Sequence, residues 1–136
     1  MKTNPYKYEI VFITLIISFG LLLRGFNINF NDFWSDEMVS FYLSNPNLEF
    51  IETLKLVFAS NSTVTFEILL QFFHKIFGYN FEYSRYLTLS LSILSIFYFY
   101  RLIKTNKSYY CAILGILLLS INIYHIRYSI ELRSYT

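Results

Sequence analysis

Asp36 and Glu37 are adjacent carboxylates in the segment FWSDEMVS (33–40), within an otherwise strongly apolar chain. A carboxylate held in place can take a proton from a hydroxyl group or orient the group that does so. Near the other end, YSIELRSYT (128–136) adds Glu131 and Arg133. A guanidinium can neutralise the charge of a departing phosphate. Acids opposite an Arg at a membrane edge suit work on a phosphate-linked substrate. A plainer reading of the acidic pair is structural. Ser35 can N-cap a helix over 36–44, and acids in a first turn suit the helix dipole. The two readings are compatible, because a helix start also holds a carboxylate still.

The elements that must position these groups are membrane-like. Of 136 residues, 55% are hydrophobic, 21% aromatic and only 15% charged. The usual charged share is about a quarter, and a soluble core this small could not hide so much apolar surface. The fold class expected is an all-α membrane protein, one polytopic domain over 1–136. A net charge of +2 leaves no nucleic-acid footprint. A single cysteine, Cys111, excludes an internal disulfide or CxxC site. His74 and His125 have no acid at ligand spacing, which argues against zinc.

Charge-free runs at 10–23, 86–100 and 108–126 predict three transmembrane helices, over about 8–26, 84–103 and 108–127. No small-x-small cleavage site follows the first, so it reads as an uncleaved span. Arg101, Lys104 and Lys107 crowd one short loop, and Lys2 and Lys7 precede the first span. The positive-inside rule then puts the N-terminus and loop 101–107 in the cytoplasm. The loop 27–83 and the C-terminal end fall outside, so Asp36, Glu37, Glu131 and Arg133 share one face. Trp34 and Phe33 would anchor the turn before the pair at the interface.

Within the outer loop, Asn45-Pro46-Asn47 and Asn61-Ser62-Thr63 predict breaks between helices at about 36–44, 48–59 and 64–77. The last of these places Ile68, Leu69, Phe72, Phe73, Ile76 and Phe77 on one face. Glu67, Gln71, His74 and Lys75 fall on the other. Fourteen helical residues reach only about 21 Å, too short to span a bilayer. The expectation is an amphipathic juxtamembrane helix lying along the surface, with His74 simply part of its polar face.

The order of these features resembles the N-terminal part of the GT-C superfamily of integral-membrane glycosyltransferases. The branch is that of the protein mannosyltransferases and aminoarabinose transferases, with its many bacterial relatives. The residues that carry the resemblance are Trp34, Asp36, Glu37, Phe77, Gly78, Arg85 and the stretch Tyr128 to Tyr135. The resemblance implies transfer of a sugar from a polyprenyl-phosphate donor to an acceptor hydroxyl outside the cytoplasm, with inversion. The acceptor is a glycan, a lipid or a protein, and the setting is a bacterial plasma membrane. Asp36 would be the general base and Glu37 its support. Glu131, Arg133 and Tyr128 would line the substrate site, with Arg133 on the phosphate. No cofactor is obligatory, and a divalent cation is left open.

Two departures accompany the resemblance. Ser62-Thr63-Val64 stands where the family often has His-Pro-Pro or Lys-Pro. The chain is also far shorter than such enzymes, so it reads as an N-terminal fragment not expected to be active alone. The competing expectation is a small non-catalytic membrane protein, a scaffold or a partner subunit.

Overall fold

The computed structural model describes residues 5–26, 28, 32 and 34–133. Seven helices follow one another: α1 (Pro5–Gly25), α2 (Ser35–Leu43), α3 (Phe50–Ala59), α4 (Val64–Phe77), α5 (Phe81–Asn106), α6 (Tyr109–Ile121) and α7 (Ile123–Ser129). There is no strand among the described residues. The helices form two compact units. One unit comprises 1–26 and 89–129; the other comprises 27–88 and 130–136.

The first unit holds most of the membrane-like elements, with the first eight residues of α5 belonging to the second. Tyr8–Gly25 of α1 and the whole of α5 are long and apolar enough to cross a bilayer. The third expected span is not one continuous helix. Its two pieces, α6 and α7, meet at a 61° bend and pass the same test only when taken together. Two or three spans are therefore present by length and composition. Ile96 and Tyr100 of α5 pack with Ala112 and Ile116 of α6, and Ile13, Ile16 and Ile17 of α1 close around them. A Cβ on Gly115 would meet Ile103 Cδ1 at 2.5 Å, so this small residue lets α5 and α6 approach closely.

The bend has a definite chemical cause. Asn122 leaves helical geometry, at φ −65° and ψ 119°, and its Oδ1 accepts from His125 N at 3.0 Å to cap α7. The break frees the last carbonyls of α6. Arg24, buried near the end of α1, takes them: Nη1 donates to Ser120 O at 3.0 Å and Nη2 to Leu119 O at 3.4 Å. The guanidinium also donates to Gly20 O and to His125 Nδ1, at 2.9 and 2.7 Å. Arg has no acceptor, so His125 Nδ1 must be the bare nitrogen. Its Nε2 then carries the proton, aimed at Ser95 Oγ 3.0 Å away. A charge near a membrane segment is tolerated when it is saturated with such partners.

The second unit is built on a buried aromatic and polar core. Phe41, Phe66, Leu70, Leu87 and Leu132 form its apolar centre. Phe41 stacks against both Tyr79 and Phe81, with ring centroids 4.1 and 3.7 Å apart. Gly78 ends α4 at φ +98°, a conformation that costs glycine little and other residues much. The boundaries of α4 match the expected 64–77, but its orientation differs from a polar face in water. Glu67, Gln71 and His74 are buried, whereas Phe72, Ile76 and Phe77 are exposed.

The polar stripe of α4 turns inward because other elements supply hydrogen-bond partners. Gln71 Nε2 lies 3.1 Å from the carbonyls of Asn45 and Leu48, where the chain breaks at Asn45-Pro46-Asn47. His74 sits between Ser44, with Nδ1 3.1 Å from its carbonyl, and Ser84 Oγ, 2.8 Å from Nε2. Burial pushes the His74 pKa down, so the imidazole is neutral at ordinary pH.

Candidate functional site

The acidic pair stands at the start of α2, one residue later than a cap on Ser35 would place it. The N-cap is Trp34, and Ser35 is the first helical residue. Glu37, at the third helical position, accepts from Trp34 N at 3.1 Å through Oε2. This is the acid's half of a capping box.

The two carboxylates have opposite environments. Glu37 is completely buried. Its Oε2 accepts from Arg85 Nη2 at 2.8 Å, and its Oε1 accepts from Arg85 Nε at 3.1 Å. Leu132 N donates to the same Oε1 at 2.6 Å. Arg85 in turn donates to Ile28 O at 2.9 Å. Burying an ion pair is costly unless geometry and extra hydrogen bonds compensate. Here a two-point Arg–carboxylate fork and two backbone N–H donors do so. Glu37 thus ties together the segment before α2, the second turn of α5 and the stretch after α7. It holds the start of the helix that carries Asp36, and it has no surface toward solvent.

Asp36 points the other way. Its side chain is 55% exposed and forms an ion pair with Arg133, itself 43% exposed. The sequence places these residues 97 positions apart (133 − 36), and the fold brings them together. The Glu37–Leu132 hydrogen bond accounts for this. It fixes the backbone immediately before Arg133 against the helix that carries Asp36.

Asp36 and Arg133 line a polar cleft of about 410 Å³ with Ser40 and Glu67. The turn 60–63 forms another wall. Asn61 adopts φ +56° there, in the left-handed region that Asn tolerates better than most residues. Ser60 Oγ donates to Ser62 Oγ at 3.0 Å, which holds the turn closed.

Glu67 is the site residue that sequence reasoning placed on a solvent-facing stripe. It is fully buried, and Ser40 Oγ donates to its Oε1 at 2.8 Å. Its Oε2 has no partner among the described residues. Desolvation pushes its pKa up to about 7, against the partial compensation of the Ser40 hydrogen bond. The signal was a carboxylate at an i, i+4, i+7 register with Gln71 and His74. That register marks a common face but not whether the face meets water or protein.

Glu131 lies two residues before Arg133 in the same unit, and its carbonyl accepts from Arg133 N at 3.0 Å. Tyr128 lies at the end of α7 in the other unit. Phe33, Ser134 and Tyr135 lie outside the described residues. Among the described residues no three His, Cys, Asp or Glu side chains converge as metal ligands would. Comparison with family models, curated proteins and solved structures finds no match to this chain.

Proposed function

We propose that this chain carries part of the catalytic surface of an inverting membrane glycosyltransferase of the GT-C type, with a polyprenyl-phosphate sugar as donor. The observation that carries the reading is the Asp36–Arg133 pair on the wall of a polar cleft. It sets a solvent-accessible carboxylate beside a cation, on a helix start anchored by a buried ion pair. In the reaction, the acceptor oxygen attacks the anomeric carbon. Asp36 takes the hydroxyl proton. The bond from the anomeric carbon to the phosphate oxygen breaks, and the polyprenyl phosphate leaves with its electron pair. Arg133 receives that charge. Glu37 is a positioning residue, acting through the helix start and through Leu132. Glu131 and Tyr128 are second candidates for substrate contact. No step requires a cofactor, and a divalent cation remains compatible with the phosphate.

The membrane arrangement follows the same reading. The bent α6–α7 pair is the third span, the Lys- and Arg-rich loop 101–107 is cytoplasmic, and the cleft opens on the outer face of a bacterial plasma membrane. The exposed apolar residues of α4 rest in the interfacial layer, with the polar stripe docked on protein. The acceptor is a hydroxyl of a glycan, lipid or protein.

The alternative reading, a non-catalytic scaffold or partner subunit, is favoured by one specific feature. Glu37, half of the acidic pair, is wholly engaged in holding the fold. Transfer of labelled sugar from a polyprenyl-phosphate hexose, measured in membranes carrying the protein and its Asp36→Asn variant, separates the two. Loss of transfer in the variant supports the enzyme reading; equal transfer removes Asp36 as the base.

A further inference from the structure

Glu67 is hard to account for as a structural residue. A buried carboxyl usually has both oxygens partnered. This one has a single donor, Ser40, and leaves Oε2 unpartnered and buried. Leaving a buried polar atom without a partner costs stability that an apolar residue at the same place would not. The same side chain lines the cleft that Asp36 and Arg133 also line.

The cleft's chemistry is distinctive. Apart from the Asp36–Arg133 pair and Glu67, its walls carry four hydroxyls, one amide and one apolar side chain: Ser40, Ser60, Ser62, Thr63, Asn61 and Val39. Among the described lining residues the one cation is Arg133, paired with Asp36. The surface away from that pair is therefore suited to the uncharged part of a ligand. Hydroxyl, amide and carboxyl groups at several angles match the alternating donors and acceptors of a sugar ring. A carboxyl with one free oxygen can accept from a ligand hydroxyl, or donate to it when protonated.

We propose that the cleft between the start of α2, the turn 60–63 and the first half of α4 is a binding subsite for a neutral polyhydroxylated ring. A turn of the Glu67 side chain toward the cleft lets its buried Oε2 make the central hydrogen bond to a ring hydroxyl. The inference deepens the glycosyltransferase reading, on which its role in acceptor or donor-sugar recognition rests. The ligand class itself rests on the cleft alone. Glu67 is a binding residue here and takes no part in the transfer step. Ser40 is its positioning partner.

The test is titration of the purified full chain in lipid nanodiscs with a neutral methyl hexopyranoside, and in parallel with the corresponding hexose 1-phosphate. Ligand-observed saturation-transfer NMR reads binding. Fluorescence of Trp34, the chain's only tryptophan, reads it independently. Both ligands are expected to bind through the ring they share, and Glu67 dependence is expected of both. Glu67→Leu should weaken glycoside binding by about tenfold or more, as expected when a ligand hydroxyl loses its buried partner. The same variant should melt no lower than the parent, because it replaces a partly unpartnered carboxyl. Glu67→Gln, which keeps an acceptor and a donor, should retain binding within about threefold.

Unchanged glycoside binding in Glu67→Leu overturns the inference, as does no detectable binding of the glycoside to the parent chain. If Glu67→Leu unfolds, the Glu67→Gln comparison decides, and loss of binding there counts against the assignment. Failure of the transferase reading looks different. Glu67-dependent glycoside binding then persists, while Asp36→Asn leaves sugar transfer unchanged.

Discussion

Glu37 and Arg85 form a buried two-point ion pair, with Oε2–Nη2 at 2.8 Å and Oε1–Nε at 3.1 Å. Their side chains are 1% and 4% exposed. Removing one member leaves the other charged and unpaired in a desolvated site. Glu37→Leu or Arg85→Leu is therefore expected to destabilise the unit by about 3–5 kcal/mol. Arg85→Lys should recover only part of that, because an ammonium cannot reproduce the fork. Thermal unfolding in detergent micelles, followed by circular dichroism, measures both. Melting of Arg85→Leu at the parental temperature would show that the pair does not hold the fold.

Glu67 gives a pH dependence of opposite sign to that of a paired carboxylate. Its folded pKa, about 7, lies above the unconstrained value of 4.5. The folded state thus holds more protons than the unfolded chain between these values, and stability must fall as pH rises through that window. The contribution is fully present below about pH 4.5 and lost above about pH 7. The groups around Glu67 are Ser40 and Asp36 from α2 and Arg133 from the C-terminal stretch. Asp36 and Arg133 offset one another, so burial dominates. The Glu67→Gln variant should lack this slope. The measurement is the difference in melting temperature between parent and variant from pH 4 to 8. A constant difference contradicts the assignment.

Arg24 holds the bend between α6 and α7. Arg24→Met removes donors to the carbonyls of Leu119 and Ser120 and to His125 Nδ1. With about 1–3 kcal/mol for each buried group left unpartnered, the first unit should lose a few kcal/mol. A double-mutant cycle with His125→Leu should give a coupling energy above about 0.5 kcal/mol. Strict additivity would mean that the Arg24–His125 contact carries no energy.

The outward face of α4 is expected to meet lipid. A nitroxide at Phe72 or Ile76 should be relaxed more by oxygen, which concentrates in bilayers, than by a water-soluble nickel complex. A nitroxide at Asn61, in the polar turn, should show the reverse. Equal accessibility to nickel at all three positions would place this face in water.

Much of this was readable from the sequence, and what was not has physical reasons. The extent of α4 was legible because helical periodicity runs into a glycine that the C-terminus needs. Its orientation was not, because a polar stripe faces water or protein according to partners distant in sequence: Ser40, Ser44, Asn45 and Ser84. The approach of Asp36 to Arg133 was legible from two clusters placed on one face. The partner of Glu37 was not, since Arg85 read as no more than the opening of a span. The third span read as continuous because hydropathy averages over Asn122. A lone Asn within an apolar run was the available sign, as the residue that caps a new helix.

The proposed donor, a polyprenyl-phosphate sugar, would sit in the Asp36–Arg133 cleft. Photolabelling tests it most directly, with the chain in nanodiscs and a polyprenyl-phosphate hexose bearing a diazirine on the sugar. Labelling is expected within 36–40 and 130–133, competed by unlabelled polyprenyl phosphate and reduced about tenfold or more by Arg133→Gln, as for a lost charge-assisted contact. Labelling that is spread over the spans, or unaffected by Arg133→Gln, would contradict it.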